Sequence, residues 1–410
     1  MNRRAFLALS AAGVAGAAGA QPLPMIAAPP PSRGIFFEDW LAGFKARAVA
    51  AGLPRAVVER ELAGVTPDPH VAALDARQPE FARPVSAYVE GAIGPERVAI
   101  GRAKRTAIPA FADIEKTYGV PRDILIAVWA MESGFGVHQG DLDVIRCLAT
   151  LALGRRREWA EDQLTAALRM IANGDVTRSR LQGSWAGALG QTQILPTSYL
   201  ADAVSVSSGQ RPDVWGSAPD ALATAANLLA KAGWRRGEGW ALEVTLPAGF
   251  DYGLSEGPRE EFAWWAARGA RQASPAAWRS DDAHAPAVLL LPSGAGGPAF
   301  LALPNHFVIR SYNNSIAYAL TIGLLADRFA GGSGLARPWP AESPLSLDQR
   351  LAAQSALGKL GYGPVTVDGM IGAGTRQALR AWQKAQGLPA DGYLSPVMVQ
   401  RLTAAAAARA

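Results

Sequence analysis

Glu132 stands in AVWAMESGFG (residues 127–136), an apolar run with one carboxylate, placed where the apolar residues give way to glycine. In a helix its side chain shares a face with Trp129, three residues back, and Val128, four back. Removal from water favours the neutral acid and raises its pKa, the condition for donating a proton near neutral pH. A carboxyl in an apolar pocket beside a tryptophan is the arrangement of a glycosidase general acid. A glutamate at a helix end more commonly reaches solvent or caps a loop, so the argument for chemistry rests on its company. GSWAGALGQTQILPTSYL (183–200) is a loop of small residues around Ser184, followed by Gln191, Gln193 and Tyr199. Small residues let backbone approach a ligand closely, and hydroxyls and amides supply the directional contacts that sugar hydroxyls need; tight helix packing is the alternative use of such glycines. RSYNNSIAYAL (310–320) brings Tyr312, Asn313, Asn314, Ser315 and Tyr318 together after a strand-like run. Aromatics beside amides suit a saccharide cleft, and a polar turn capping the next helix explains Asn313 to Ser315 equally well.

The elements that must hold these residues are mostly helical. Pro121 suits the start of a helix carrying RDILIAVWAMES (122–133), which Gly134 and Gly136 should end. EWAEDQLTAALRMIANG (158–174) reads as an amphipathic helix closing at Asn173-Gly174, and DALATAANLLAKAGW (220–234) as another stopped by Gly233. Apolar residues at helical spacing also run through 36–63, 71–92 and 108–118. Strand-like runs follow in ALEVTLP (241–247), AVLLLP (287–292), AFLAL (299–303) and HFVIRSY (306–312), separated by proline and glycine turns. The reading is one large unit from Gly34 to about Gly332, of α+β class, mostly α, with a small β appendage.

The chain's 410 residues exceed what one core usually organises, and a second module is legible. Glycine, serine and proline crowd into AGGSGLARPWPAESP (330–344), a linker placed at 333–346. Beyond it, 347–403 holds three helical stretches, LDQRLAAQSALGKLG, GTRQALRAWQKAQG and SPVMVQRLTAAAA, with Asp-Gly recurring at 368–369 and 391–392. Trp382 falls at a core position of this module, and the tail AAAAARA reads as a frayed helix end. At the other end, MNRRAFLALSAAGVAGAAGA (1–20) has a basic start, a short apolar stretch and Ala18-Gly19-Ala20, a cleavable export signal. Arg3-Arg4 suggests the twin-arginine type, with an ordinary secretory signal as the alternative. The stretch 21–34 is a proline-rich linker. No cysteine stands directly after the apolar run, so no lipid anchor at the cleavage site is expected.

Hydrophobic residues at 49% and charged residues at 18% describe a globular protein. The net charge is +5, or +3 without Arg3 and Arg4, suited to an anionic polymer but too weak and diffuse for nucleic acid. The single cysteine, Cys147, excludes an intramolecular disulfide, and His70, His138, His284 and His306 show no ligand-like spacing. No metal and no cofactor are expected.

The motifs ESGFG, DVIRCLATLAL, AALRMI, GSWAGALGQTQILPTSY, DVWGSAPDALATAANLLAKAGW and RSYNNSIAYAL, in this order and spacing, closely resemble the lytic murein transglycosylases of the membrane-bound B type over residues 35–332. The final module resembles the type 1 peptidoglycan-binding domain, through Asp368-Gly369, Gly372, Thr375, Ala378-Leu379, Trp382-Gln383, Gly387-Leu388 and Asp391-Gly392. The resemblance implies a lysozyme-like helical catalytic domain with a cleft, Glu132 as the sole catalytic carboxylate, and Ser184, Gln193, Tyr312, Asn313 and Tyr318 lining the cleft. It implies cleavage, without water, of the β-1,4 bond between N-acetylmuramic acid and N-acetylglucosamine, leaving a 1,6-anhydro ring, in cell wall remodelling. The residues agree in one respect: no second acid stands in the cleft motifs, whereas ordinary glycosidases need two. Family members often carry an Asp-rich, calcium-holding loop where this chain reads VSVSSGQRPDVW (204–215), and Asp213 alone is too few ligands. The expected protein is a soluble periplasmic monomer acting on peptidoglycan strands. A muramidase, hydrolysing the same bond, and a non-catalytic wall-binding protein are the competing readings.

Overall fold

The computed structural model describes residues 36–77, 83–274 and 284–409, so the export signal at 1–20 and the linker at 21–34 lie outside the described residues. The described residues form two compact units, 36–77 with 129–225, and 83–128 with 226–274 and 284–409. Among the described residues no helix is long and apolar enough to cross a membrane.

In the unit containing Trp129–Ala225, the apolar period over 36–63 yields two helices, Phe37–Ala50 and Arg55–Glu61. They part at Pro54, which has no N–H to continue the first. Trp40, Phe44 and Ala48 recur at i, i+4 and i+8 and are buried, with Trp40 stacked on Phe44 at 5.5 Å. The Trp40 indole N–H donates to Glu161 at 2.8 Å, tying this helix to Arg157–Ala172. That second helix closes at Asn173, followed by Gly174 in the left-handed region at φ +75. Asp143 caps the helix Val144–Leu151 by accepting from the N–H groups of Ile145 and Arg146.

In the other unit, strands β3 (Ala241–Thr245), β4 (Arg259–Glu260), β5 (Arg271–Gln272), β6 (Ala287–Leu290) and β7 (Ala299–Ala302) form an antiparallel sheet in the order β4-β6-β7-β3-β5. The two-residue strands β1 (Leu142–Asp143) and β2 (Gln182–Gly183) pair separately, within the first unit. Every residue of β6 and β7 is buried, which is why both read as unbroken apolar runs. Trp265, Phe250, Leu289 and Leu301 are at the centre of the sheet's core.

HFVIRSY is not a strand. Residues Pro304–Tyr312 form a helix with proline in its first turn. Asn305 fastens it by accepting from Arg235 N–H at 2.8 Å and donating to the Arg235 and Glu238 carbonyls. Val308 and Tyr312 then share a buried helical face, so tertiary ties override the β-propensity of Val308 and Ile309.

The last three helices, Leu347–Lys359, Ala373–Ala385 and Pro396–Ala407, pack around Leu357, Leu379, Trp382 and Leu402. The repeated Asp-Gly is a repeated device. Gln354, buried on the first helix, donates to Asp368 Oδ1 at 2.9 Å and accepts from Gly369 N–H at 2.7 Å. Gln383, buried on the second, does the same to Asp391 and Gly392, both at 2.8 Å. The tail is not frayed: helix persists to Ala407 and Arg409 donates to the Leu360 carbonyl at 2.6 Å. The linker lies along the sheet, its Ala336 and Arg337 N–H groups donating to Glu243, and Tyr393 of the module donating to Glu342.

Candidate active site

Glu132 occupies the penultimate position of the helix Arg122–Ser133 and is 2% exposed. Residues 124–130 of that helix are buried on every face, as an all-round apolar helix must be. The chain then leaves through three consecutive left-handed residues, Gly134 (φ +58), Phe135 (φ +63) and Gly136 (φ +89). Phe135 is not glycine, and its conformation costs about 1–2 kcal/mol. Its ring packs edge-on against Trp129 at 5.8 Å, and its N–H donates to the Trp129 carbonyl at 3.1 Å. Ser133 Oγ locks the turn, accepting from Gly136 N–H at 2.8 Å and donating to the Gln191 carbonyl at 2.5 Å.

The small-residue loop is built as closely. A Cβ on Gly183 would stand 2.1 Å from the Ala188 carbonyl oxygen, so only glycine fits where β2 folds back on Leu189. Ser184, 5% exposed, exchanges backbone and side-chain bonds with Ala188: its N–H donates to the Ala188 carbonyl at 2.9 Å and its Oγ accepts from Ala188 N–H at 3.0 Å. Gln193 sits at φ +50 and is 3% exposed, its Nε2 donating to the Gly190 and Gln139 carbonyls at 2.9 Å. Its Oε1 is buried with no hydrogen-bond partner among the described residues, and so is Gln139 Oε1. Buried acceptors without partners are rare, and a hydroxyl-bearing ligand or a water is what satisfies them. Gln139, absent from the sequence-derived set, also donates to the Gly136 and Trp215 carbonyls at 3.0 and 3.1 Å.

Glu132, Ser184 and Gln193 thus belong to one compact unit, and Tyr312, Asn313 and Tyr318 to the other. Tyr312 ends the helix Pro304–Tyr312 and is 7% exposed. Asn313 is that helix's C-cap, and Ser315 caps the next helix, Ile316–Phe329, by accepting from Tyr318 N–H at 3.2 Å. The polar run therefore caps the next helix through Ser315, whereas Asn313 closes the helix before it. Tyr199 has a structural role: its hydroxyl donates to the Pro212 carbonyl at 2.8 Å, and burial pushes its pKa up to about 12.

The segment 204–215 does not fit calcium. Asp213 accepts from Trp215 and Gly216 N–H and from Arg180, and Asp220 ties the segment shut by accepting from Val206 and Asp213 N–H at 3.0 Å each. No other residue of 204–215 carries a carboxylate, and calcium needs six to eight oxygens. Among the described residues no group of three His, Cys, Asp or Glu could hold a metal ion.

Residues 36–327 match the transglycosylase SLT domain family, and residues 346–402 match a peptidoglycan binding domain family. The membrane-bound lytic murein transglycosylase B of Escherichia coli (strain K12) is 31% identical over 225 residues, which are 52% of this chain and 58% of that protein. The crystal structure of SltB3 from Pseudomonas aeruginosa in complex with NAG-anhNAM-pentapeptide is 46% identical, with 90% of this chain and 100% of that one covered at a TM-score of 0.85. The Escherichia coli lytic transglycosylase Slt35 in complex with bulgecin A is 27% identical, covering 71% of this chain and 92% of that one at a TM-score of 0.60. The fold is accordingly the mostly helical, lysozyme-like one of these enzymes, and the chain belongs to the SLT-domain transglycosylase family.

Proposed function

We propose that this protein is a lytic transglycosylase that cleaves the β-1,4 bond between N-acetylmuramic acid and N-acetylglucosamine in peptidoglycan, leaving 1,6-anhydro-N-acetylmuramic acid. The observation that carries the reading is a single carboxyl, Glu132, 2% exposed at the end of an apolar helix and followed by a tightly locked turn. Burial favours the protonated form that a general acid needs.

Glu132 gives its proton to the glycosidic oxygen as the bond to the muramic anomeric carbon breaks, and the N-acetylglucosamine side leaves as an alcohol. The resulting carboxylate then takes the proton of the muramic 6-hydroxyl, whose oxygen closes on the anomeric carbon. Glu132 ends protonated, so the cycle consumes no water and needs no second carboxylate. An internal nucleophile supplies by proximity what a bound water would otherwise have to be positioned to do. Ser184 and Gln193, with Tyr312, Asn313 and Tyr318, hold the sugar rings and their acetamido groups, and the unpartnered Oε1 atoms of Gln193 and Gln139 accept from hydroxyls. SltB3 of Pseudomonas aeruginosa, whose structure holds an anhydro-muramyl ligand, supports this assignment of product. The module at 347–403 retains the enzyme on the wall polymer, 333–346 links it to the catalytic domain at 35–332, and the segment 1–20 exports the chain to the periplasm, where it works as a monomer without cofactor in wall remodelling.

The test is mass analysis of muropeptides released from purified sacculi by the wild type and by Glu132→Gln. The wild type should release anhydro ends, and the variant should lose about 10²–10⁴-fold in rate, the usual contribution of a general acid and base. Reducing ends in place of anhydro ends would make the enzyme a muramidase, and equal release by both proteins would overturn the site.

A further inference from the structure

Gln191 is hydrogen-bonded through both its side chain and its backbone to the helix that carries Glu132. Its Oε1 accepts from the Trp129 indole N–H at 3.0 Å, and its Nε2 donates to the Trp215 carbonyl at 3.0 Å. Its backbone N–H donates to the Val214 carbonyl at 2.9 Å, and its own carbonyl accepts from Ser133 Oγ at 2.5 Å. The side chain is packed so closely against the turn after Glu132 that a Cβ on Gly136 would stand 2.5 Å from Gln191 Oε1 and 3.3 Å from Trp129 Nε1. Gln191 is 6% exposed. One residue therefore grips the catalytic helix on both sides of Glu132, through Trp129 three residues before it and Ser133 immediately after it. It anchors both to the backbone of Val214 and Trp215.

We infer that Gln191 is a positioning residue for the proton-transferring carboxyl: by fixing the Trp129 indole through its edge, it holds the apolar ring on the face it shares with Glu132 and keeps Glu132 dry and aimed. This rests on the proposed function. Trp129 in turn packs against the strained Phe135, so a loosened indole also frees the left-handed turn. Losing the ring's cover admits water to Glu132, which lowers the carboxyl's affinity for its proton. The substrate-contacting groups on Ser184 and Gln193 are held by other bonds, to Ala188, Gly190 and Gln139, and stay in place.

The test compares wild type, Gln191→Met, Trp129→Phe and the double variant on solubilised glycan strands. Gln191→Met keeps the length of the side chain and removes both amide functions, and Trp129→Phe removes the same bond from the other partner. Each single variant should lose about 10- to 100-fold in kcat, the scale of a small misplacement of reacting groups, with KM within about two-fold. The basic limb of the pH–rate profile should move to lower pH in both, because an acid with better solvation loses its proton earlier. The double variant should lose less than the product of the two single losses, since the Trp129–Gln191 bond is already absent from each single variant. Two independent losses of packing would instead add in the double variant, and if Gln191→Met does not fold, Trp129→Phe still reads the limb. An unchanged kcat and pH limb in the folded variants, or strictly additive losses, overturns the inference while leaving the transglycosylase reading intact. A wild type that releases no anhydro product sinks that reading, and this inference with it.

Discussion

Replacing Glu256 with alanine should unfasten the C-terminal module from the sheet. Glu256 precedes β4 and donates its N–H to the Leu289 carbonyl of β6 at 2.8 Å, and its two carboxylate oxygens receive Arg376 Nε at 2.9 and 3.0 Å, Arg376 Nη2 at 2.8 Å and Arg380 Nη2 at 3.0 Å. The three side chains are 17%, 25% and 11% exposed, so water screens them only partly. Arg310 also feels this cluster: burial and Arg376 press its pKa down while Glu256 supports it. Deleting the carboxylate leaves guanidinium groups facing one another with little solvent. Breaking a fully buried pair costs about 3–5 kcal/mol, and the residual exposure here brings the expectation to about 2–4 kcal/mol. Glu256 also sits in the left-handed region at φ +58, so Glu256→Gly should recover about 1 kcal/mol of that loss and Glu256→Ala should not. Differential scanning calorimetry of the whole protein should show the module's transition lowered by about 4–8 °C per kcal/mol, the scale of a unit this small, and limited proteolysis should cut 333–346 faster. Although burial raises the Glu256 pKa, Arg376 and Arg380 outweigh it and hold the carboxyl below its ordinary 4.5. The clamp's contribution is therefore complete above the unfolded carboxylate's range and disappears as pH falls through the folded value. The wild-type and Glu256→Ala transitions should converge in acid. A shift under about 1 °C at neutral pH, with unchanged proteolysis, would refute the account.

Other perturbations follow from single contacts. Gly183→Ala forces a Cβ to within 2.1 Å of the Ala188 carbonyl oxygen and should destabilise the protein by about 1–3 kcal/mol or more in urea titrations. Burial, helped by Asp143 and Asp68, pushes the Cys147 thiol up to about 12, so the native protein should not react with a thiol reagent near pH 8, and one thiol should appear on unfolding. Burial, with Arg310, pushes His306 down to about 3; below its unfolded value of 6.5 only the unfolded chain takes the proton, so stability should fall as pH drops from 6.5 toward 3. His306→Leu should flatten that slope in denaturant titrations, and an unchanged slope would assign it elsewhere. Added calcium or a chelator should leave the melting temperature within about 1 °C, because Asp213 and Asp220 are already bonded to their own backbone and to Arg180.

How far the fold was readable depended on the range of each interaction. The helix around Glu132, its glycine stop, the closure at Asn173-Gly174, strands β3, β6 and β7 and the three helices of the last module all follow from signals within one element. HFVIRSY was misread because Val308 and Ile309 favour strands locally, while Asn305's bonds to Arg235 and Glu238, far away in sequence, make it a helix. Glu132, Ser184 and Gln193 stood out by residue type. The parts played by Gln139 and Trp215 did not, because they use a side-chain amide and a backbone carbonyl whose partners are distant in the chain.

The sequence by itself determined where an apolar helix would end, that one carboxyl would stand at that end, and that a glycine-rich loop and a second helical module would follow. These outcomes depend on spacing, on φ preferences of glycine and proline, and on which neighbours are apolar. Only tertiary structure decided that Glu132 is shut from water, that Gln191 reaches Trp129 across 62 positions of chain, and that Glu256 receives two arginines more than a hundred residues later. Burial and charge pairing are sums over atoms brought together by the whole fold, and no local stretch of the chain contains them.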